Sequence, residues 1–229
     1  NALTLLRLTH DLPCPLRIVS FDDTSGPLAF ALRHAEPLGY FHSYETIARQ
    51  LLEQERVEFQ DGARKVCWKF HRGDFPQWLG GSCAAAHDRS RGSAPLPSTG
   101  AGAPHAIFFD AFSPAKNPAM WTVPVFANLF RELDPARPCS LTTYSRSTLI
   151  RTTLLLTGFF VGRGVATGLK EETTVAANTL SLLDEPLDRR WLERAHRSDS
   201  AEPLLQPTYH RAPLLPASWE RLQAHPQFA

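Results

Sequence analysis

The sequence predicts an α/β sandwich whose sheet is mostly parallel and closes with a C-terminal antiparallel hairpin. Three observations carry that expectation. Strand-like and helix-like segments alternate along most of the chain. Two of the strand candidates, Leu16–Phe21 (LRIVSF) and Ala106–Phe109 (AIFF), are short apolar runs that each stop at an aspartate. The final strand candidates, Phe159–Val161 and Thr173–Ala177, have no helix between them, so they should pair antiparallel across the Arg163–Lys170 loop.

The elements follow in order. Ala2–Arg7 reads as the remainder of a helix, and Leu16–Phe21 as a buried strand ending in Asp22-Asp23. Pro27–Ala35 and Ser43–Glu55 carry helical spacing; in the second, Ile47, Leu51 and Leu52 share a face. Val66, Trp68 and Phe70 alternate with Cys67, Lys69 and His71, the period of a strand. With Val57–Phe59 before it and Asp61-Gly62 between, this reads as a hairpin. Gly80–Pro104 is rich in Gly, Ala, Ser and Pro and nearly free of large apolar residues, so it is expected to be a surface insertion rather than core.

Trp121–Leu133 reads as a helix, with Thr122 as its cap, Pro124 in its first turn, and Val125, Phe126, Leu129, Phe130 and Leu133 as its buried stripe. Ser140–Tyr144 is a strand, and Ser147–Leu156 a helix closed by Gly158. Residues 179–229 read as a C-terminal tail with one short amphipathic piece around Trp191-Leu192-Glu193. The domain proper is thus placed at 1–178.

Composition narrows the function less than the pattern does. The chain has 229 residues, 43% hydrophobic and 21% charged, with a net charge of +1, so a nucleic-acid contact would need a local basic patch. Its longest apolar runs are far too short to cross a bilayer, and the N-terminus carries no signal-peptide pattern. The four cysteines, Cys14, Cys67, Cys83 and Cys139, lack CxxC spacing, which fits reduced thiols in the cytoplasm. Cys67/His71 and Cys83/His87 have the look of a zinc pairing. Residues 67 and 71 are set on a strand, however, where four residues span about 13 Å, so no metal site is expected.

Phe108–Trp121 reads FFDAFSPAKNPAMW and is similar to the DxFxPxKNPxxW signature of the MnmC-like methyltransferases. Further pieces stand in the family's order: Ile18–Asp22, Gly73-Asp74, Thr143-Tyr144-Ser145, Arg151, Gly158-Phe159 and Gly168–Glu172. The resemblance covers about residues 1–178, and Pro186–Ser198 also looks like the tail of stand-alone members. Asn1-Ala2-Leu3 resembles the residues just after the family's FGTGLN-type glycine loop, so the chain is expected to begin after that loop. The family's Pro-Gly-Gly turn is replaced by Ala136-Arg137-Pro138-Cys139.

The resemblance implies a Rossmann-like SAM-dependent methyltransferase fold, SAM as methyl donor, and a 5-aminomethyl group on wobble 2-thiouridine of tRNA as acceptor. No fused FAD domain is expected, nor any membrane contact; the oligomeric state is left open. Ligands in such sheets sit beyond the carboxyl ends of the strands, where Asp22, Asp74 and Asp110 all fall. Asp22 suits the ribose hydroxyls of SAM, since a carboxylate only accepts; a helix cap or loop acid is its plainer role. Asp74 suits the adenine amino group with Phe75 stacking nearby, or is a simple turn residue. Asn1 belongs with the cofactor set, and Asp110 is counted there as well as among the catalytic residues.

Asp110 is the catalytic candidate, orienting the acceptor amine and stabilising the positive charge that develops on it; a capping acid is the alternative. Pro114, Lys116 and Asn117 would shape the substrate wall, with Tyr144 and Ser145 as further pocket residues. Lys170 and Arg151 are read as facing the RNA backbone, against the alternative of solvated surface charge. Two other functions stay open: a non-catalytic RNA- or partner-binding domain, and a methyltransferase acting on another amine.

Overall fold

The computed structural model describes residues 2–39, 41–88, 102–168 and 171–229. The chain divides into two compact units, Asn1–Trp78 and Leu79–Ala229.

The first unit holds α1 (Ala2–Leu8), β1 (Leu16–Asp22), α2 (Gly26–Arg33), α3 (Ala35–Leu38), α4 (Glu45–Gln54), β2 (Arg56–Asp61) and β3 (Arg64–Arg72). Its sheet has the order β1-β3-β2. β1 runs parallel to β3, with Leu16 opposite Val66 and Asp22 opposite Arg72. β2 and β3 form the expected hairpin, turning at Gly62 with φ +60°, the left-handed region that glycine enters freely. The alternation in β3 buries Val66, Trp68 and Phe70 against Leu6, Ile18, Leu51 and Val57.

A buried ion pair ties α1 to this hairpin. Arg64, 2% exposed, donates from Nη2 to Asp61 Oδ2 (2.6 Å) and to the Leu6 carbonyl (2.8 Å), and from Nη1 to Thr9. It thereby satisfies a carbonyl near the end of α1 that the helix itself leaves open. Asp61 also accepts from Tyr44 Oη at 2.8 Å and pairs with His10 Nδ1 at 3.1 Å. Burial pushes the Asp61 carboxyl up, but the bonds from Arg64, Tyr44 and His10 outweigh it and hold it below the usual aspartate range.

The second unit contains β4 (Ala106–Phe108), α6 (Val123–Arg131), β5 (Ser140–Thr143), α7 (Thr148–Leu156), β6 (Phe160–Gly164), β7 (Thr173–Ala177), α8 (Arg189–His196) and α9 (Pro216–Gln223). The order is β4-β5-β7-β6, with β4 and β5 parallel and both β5–β7 and β6–β7 antiparallel. Of the five pairings among described residues only two are parallel, so the single mostly parallel sheet expected from the alternation is not what they form. Both hairpins lie where no helix separates consecutive strands.

Three further details differ from the sequence reading. α5 (Phe75–Asp88) carries helix through residues 80–88 of the expected insertion, where Ala84-Ala85-Ala86 favours it; the insertion's residues 89–101 lie outside the described residues. Thr122 occupies the N-cap of α6, but its side chain makes no cap bond. The Leu204 carbonyl instead accepts from Val123 N–H at 2.8 Å, and Thr122 bridges to Leu204. The segment after β7 is packed rather than trailing: Gln227 bonds both backbone groups of Val161 at 2.7 Å, and Trp191, Leu192, Leu204 and Phe228 are buried.

Candidate functional site

Two groups of predicted site residues come together, one in each unit. In the second unit, β4 and β5 are adjacent and parallel, so their carboxyl ends open on the same edge. Asp110 lies just past β4 and Tyr144 just past β5. Tyr144 Oη donates to the Ala111 carbonyl at 2.6 Å, fixing the turn that carries Asp110. Burial pushes the Tyr144 phenol up, and the negative charge of Asp110 adds to that. The two side chains are therefore electrostatic neighbours.

The rest of the signature explains why this loop holds its shape. Trp121 is fully buried, and its Nε1 donates to the Phe112 carbonyl at 2.6 Å. Its ring meets Phe109 edge-on at 5.0 Å, and Phe109 in turn meets Phe126 at 5.1 Å. Lys116 and Asn117 N–H both bond the Ser113 carbonyl, closing the turn around Pro114. With its backbone pinned from two sides, the loop presents the Phe112 ring to solvent, 73% exposed. Phe112 was not among the candidates read from the sequence; an aromatic two residues after the candidate Asp110 was the available signal. Lys116 is exposed, whereas Pro114 and Asn117 are half-buried.

Ser145 sits differently from Tyr144. It is buried, its Oγ accepts from Ser147 N–H at 3.2 Å, and its carbonyl accepts from Thr174 Oγ1 at 2.5 Å. The hydroxyl serves the entry into α7. Arg151 does not face solvent, and so cannot face RNA: it is 1% exposed on α7. Its Nε donates to Thr174 Oγ1 (2.9 Å), its Nη2 to the Thr173 carbonyl (2.8 Å) and its Nη1 to Glu172 (3.1 Å). The physical reason is that the start of β7 offers a buried guanidinium three acceptors.

In the first unit, Asp22 ends β1 and Asp74 follows β3, on the same carboxyl edge of a parallel pair. Gly73 N–H bonds the Asp22 carbonyl at 2.9 Å with φ +131°, a conformation that glycine allows. Asp22 Oδ1 accepts from Thr24 N–H at 3.3 Å. Partial burial raises the Asp22 carboxyl above its ordinary range, and the neighbouring Asp23 adds to this. Asp74 Oδ1 accepts from Gln77 N–H at 2.6 Å, the geometry of a helix N-cap for α5.

Phe75 belongs to an aromatic cluster. Phe21 meets Phe75 at 5.0 Å, Trp78 at 4.6 Å and His71 at 5.1 Å, the last pair stacked. His71 Nε2 is buried with no hydrogen-bond partner among the described residues, and burial lowers the basicity of the ring. His71 and Trp78 were not anticipated, because β-strand alternation and helix onset bring them together only in the fold. Asn1 and Lys170 lie outside the described residues.

Comparison with known proteins separates family from fold. A family model described as S-adenosyl-L-methionine-dependent methyltransferase matches residues 95–179, the segment with the signature loop, Tyr144 and the β6–β7 hairpin. Two proteins carrying the name tRNA 5-methylaminomethyl-2-thiouridine biosynthesis bifunctional protein MnmC align with the chain. The one from Cupriavidus necator is 32% identical over 129 residues, 56% of this chain and 16% of the relative. The one from Leptospira interrogans is 32% identical over 92 residues, 40% of this chain and 14% of the relative. The match to this methyltransferase family thus rests on residues 95–179, less than half of the chain.

The crystal structure of MNMC2 from Aquifex aeolicus shares the fold, at TM-score 0.55 and 22% identity over 96% of this chain and 70% of that one. The matches to the curated MnmC proteins span only about a seventh of their length. Within the family match, the departure at Ala136–Cys139 is held by Asn178, whose Nδ2 donates to the Asp134 and Arg137 carbonyls at 3.2 and 2.8 Å. Among the described residues no three His, Cys, Asp or Glu side chains converge as a metal site, and no helix is long and apolar enough to cross a membrane.

Proposed function

We propose that this protein transfers a methyl group from SAM to the 5-aminomethyl group of wobble 2-thiouridine in tRNA, in the cytoplasm. The observation that carries the reading is the placement of Asp110 beside Tyr144 at the carboxyl ends of two parallel strands, on a loop locked by Trp121. Matches to MnmC proteins named for this tRNA modification support the choice of acceptor.

The residues fit the cofactor by their chemistry. Asp22 is a carboxylate acceptor whose bonds to Thr24 and Asp23 are both local, which suits an exchange for two ribose hydroxyls. Phe75 offers a face for adenine within an aromatic cluster, beside Asp74. Asn1 would follow the methionine part. SAM supplies an electrophilic methyl on a sulfonium. Asp110 would accept hydrogen bonds from the neutral acceptor amine, aim its lone pair, and stabilise the ammonium charge as the N–C bond forms and the S–CH3 bond breaks, the electron pair staying on the sulfur of the departing S-adenosylhomocysteine. The surplus proton then leaves the nitrogen to solvent or to Asp110. Pro114, Asn117 and Tyr144 form the substrate wall, and Lys116 and Lys170 meet phosphate.

The test has two stages. Calorimetry with SAM should give saturable binding that Asp22→Asn weakens by about tenfold, the loss of one charge-assisted hydrogen bond. Methyl incorporation into tRNA carrying the 5-aminomethyl group should then fall about 100-fold or more in Asp110→Asn with SAM affinity retained. Absence of SAM binding both by this chain and by a form extended upstream through the expected glycine loop would sink the reading.

A further inference from the structure

A tRNA is far larger than the base that reacts, so a protein acting on one needs a surface for the phosphate backbone away from the chemistry. The chain's net charge of +1 means that such a surface has to be local. α8 supplies one. Between residues 189 and 197 it carries Arg189, Arg190, Arg194 and Arg197 against the single acid Glu193. Trp191, Leu192 and Ala195 are buried, and all four arginines are exposed.

At about 100° per residue, Arg190, Arg194 and Arg197 fall within an arc of about 60°, a row of about 10 Å along the axis. Among the described residues no carboxylate pairs with any of the four. Helix stability accounts for Arg194 and Arg197 at the C-terminal end but not for Arg189 and Arg190. Cations are favoured in the last turn but opposed in the first, where Arg189 and Arg190 stand. Asp188 offsets that by accepting Trp191 N–H at 2.8 Å, so the helix begins despite its arginines.

The helix that carries the row packs against α9, and α9 against α7. His196 stacks flat on Trp219 of α9, with ring centroids 4.0 Å apart and 4° between planes. Arg221 of α9 donates to the Leu156 carbonyl of α7 at 2.8 Å, and Thr152 of α7 donates to the Ala201 carbonyl at 2.5 Å. Arg194 is close enough to Arg151 that their like charges oppose each other. Arg151 in turn bonds Thr174, which bonds the Ser145 carbonyl. The C-terminal half of α8 therefore neighbours the elements that carry the candidate substrate wall.

We propose that the Arg190–Arg194–Arg197 face of α8 docks the sugar–phosphate backbone of the RNA substrate. Guanidinium forks match phosphate oxygens in pairs, and the face has no exposed large apolar side chain of the kind that centres a protein–protein interface. This inference rests on the tRNA reading above, and its test separates the two.

Binding of the intact protein to a purified tRNA with a wobble uridine is followed by fluorescence anisotropy from 50 to 300 mM salt, a range of about sixfold that resolves the counterion slope. Wild type is compared with R190A/R194A/R197A and with the corresponding triple lysine variant. The alanine variant should bind at least about tenfold more weakly at low salt, and its slope of log K against log salt should be shallower by about 2 to 3. The lysine variant should keep the wild-type slope, which shows that charge and not fold was lost. SAM affinity should be the same in all three. An alanine variant with the wild-type slope overturns this inference and leaves the tRNA reading standing. A wild type that binds no tRNA overturns both.

Discussion

Replacing Arg151 with methionine removes three hydrogen bonds while keeping most of the side chain's apolar volume. The guanidinium is 1% exposed and donates to Thr174 Oγ1, the Thr173 carbonyl and Glu172. Burial alone pulls its basicity down, and the Glu172 charge opposes that. Breaking a buried pair from one side costs about 3–5 kcal/mol, because the remaining polar groups stay desolvated. Glu172 is 30% exposed and can rehydrate, so the lower end, about 3 kcal/mol, applies. For a chain of this size that is a fall in Tm of about 6–12 °C. Urea denaturation followed by circular dichroism measures it directly through the midpoint and slope. Arg151→Lys should recover only part of the loss, since an ammonium cannot reach three diverging acceptors. A loss below about 0.5 kcal/mol, the range of surface substitutions, would refute the burial argument.

Tyr144→Phe frees the Ala111 carbonyl from its 2.6 Å bond, so methyl transfer should drop while stability falls only about 1 kcal/mol, read by kcat and Tm together. Gly158 has φ +106°, and a Cβ there would lie 2.9 Å from Phe130 Cε1; Gly158→Ala should cost about 1–3 kcal/mol in urea titrations. Asp61 has a folded pKa below its unfolded value, so its contribution is fully present above pH ~4 and is lost as pH falls through the folded value. Asp61→Asn should therefore flatten the acid limb of a stability–pH curve. Burial pushes the Cys139 thiol up to about 11, so a thiol reagent at pH 8 should label exposed Cys14 in the folded protein and Cys139 only after unfolding.

What was legible in the sequence is what short-range pattern encodes. The alternation of Val66, Trp68 and Phe70 marked β3, and the α6 stripe of Val125, Phe126 and Leu129 marked a buried helix face. The acids at strand ends marked the candidate residues within each unit. Partners distant along the chain were not legible. Arg151 looked like surface charge because its acceptors lie 21 to 23 residues away. Residues 179–229 looked like a tail because their anchors, such as Gln227 on Val161, pair side chains with remote backbone. The cap of α6 was assigned to Thr122 by local rule, and the Leu204 carbonyl supplies the contact instead. Ser145 was grouped with Tyr144 by adjacency, yet past the end of β5 its hydroxyl accepts from Ser147 N–H and serves the entry into α7.

The central claim is that Asp110 orients an amine for methylation by SAM, and transfer of a labelled methyl group tests it most directly. The protein is incubated with labelled SAM and tRNA bearing 5-aminomethyl-2-thiouridine, beside the same tRNA lacking the aminomethyl group. The account predicts label in the first tRNA only, reduced about 100-fold in Asp110→Asn at unchanged SAM affinity. Equal incorporation by wild type and Asp110→Asn, or label in the tRNA without the amine, would contradict it.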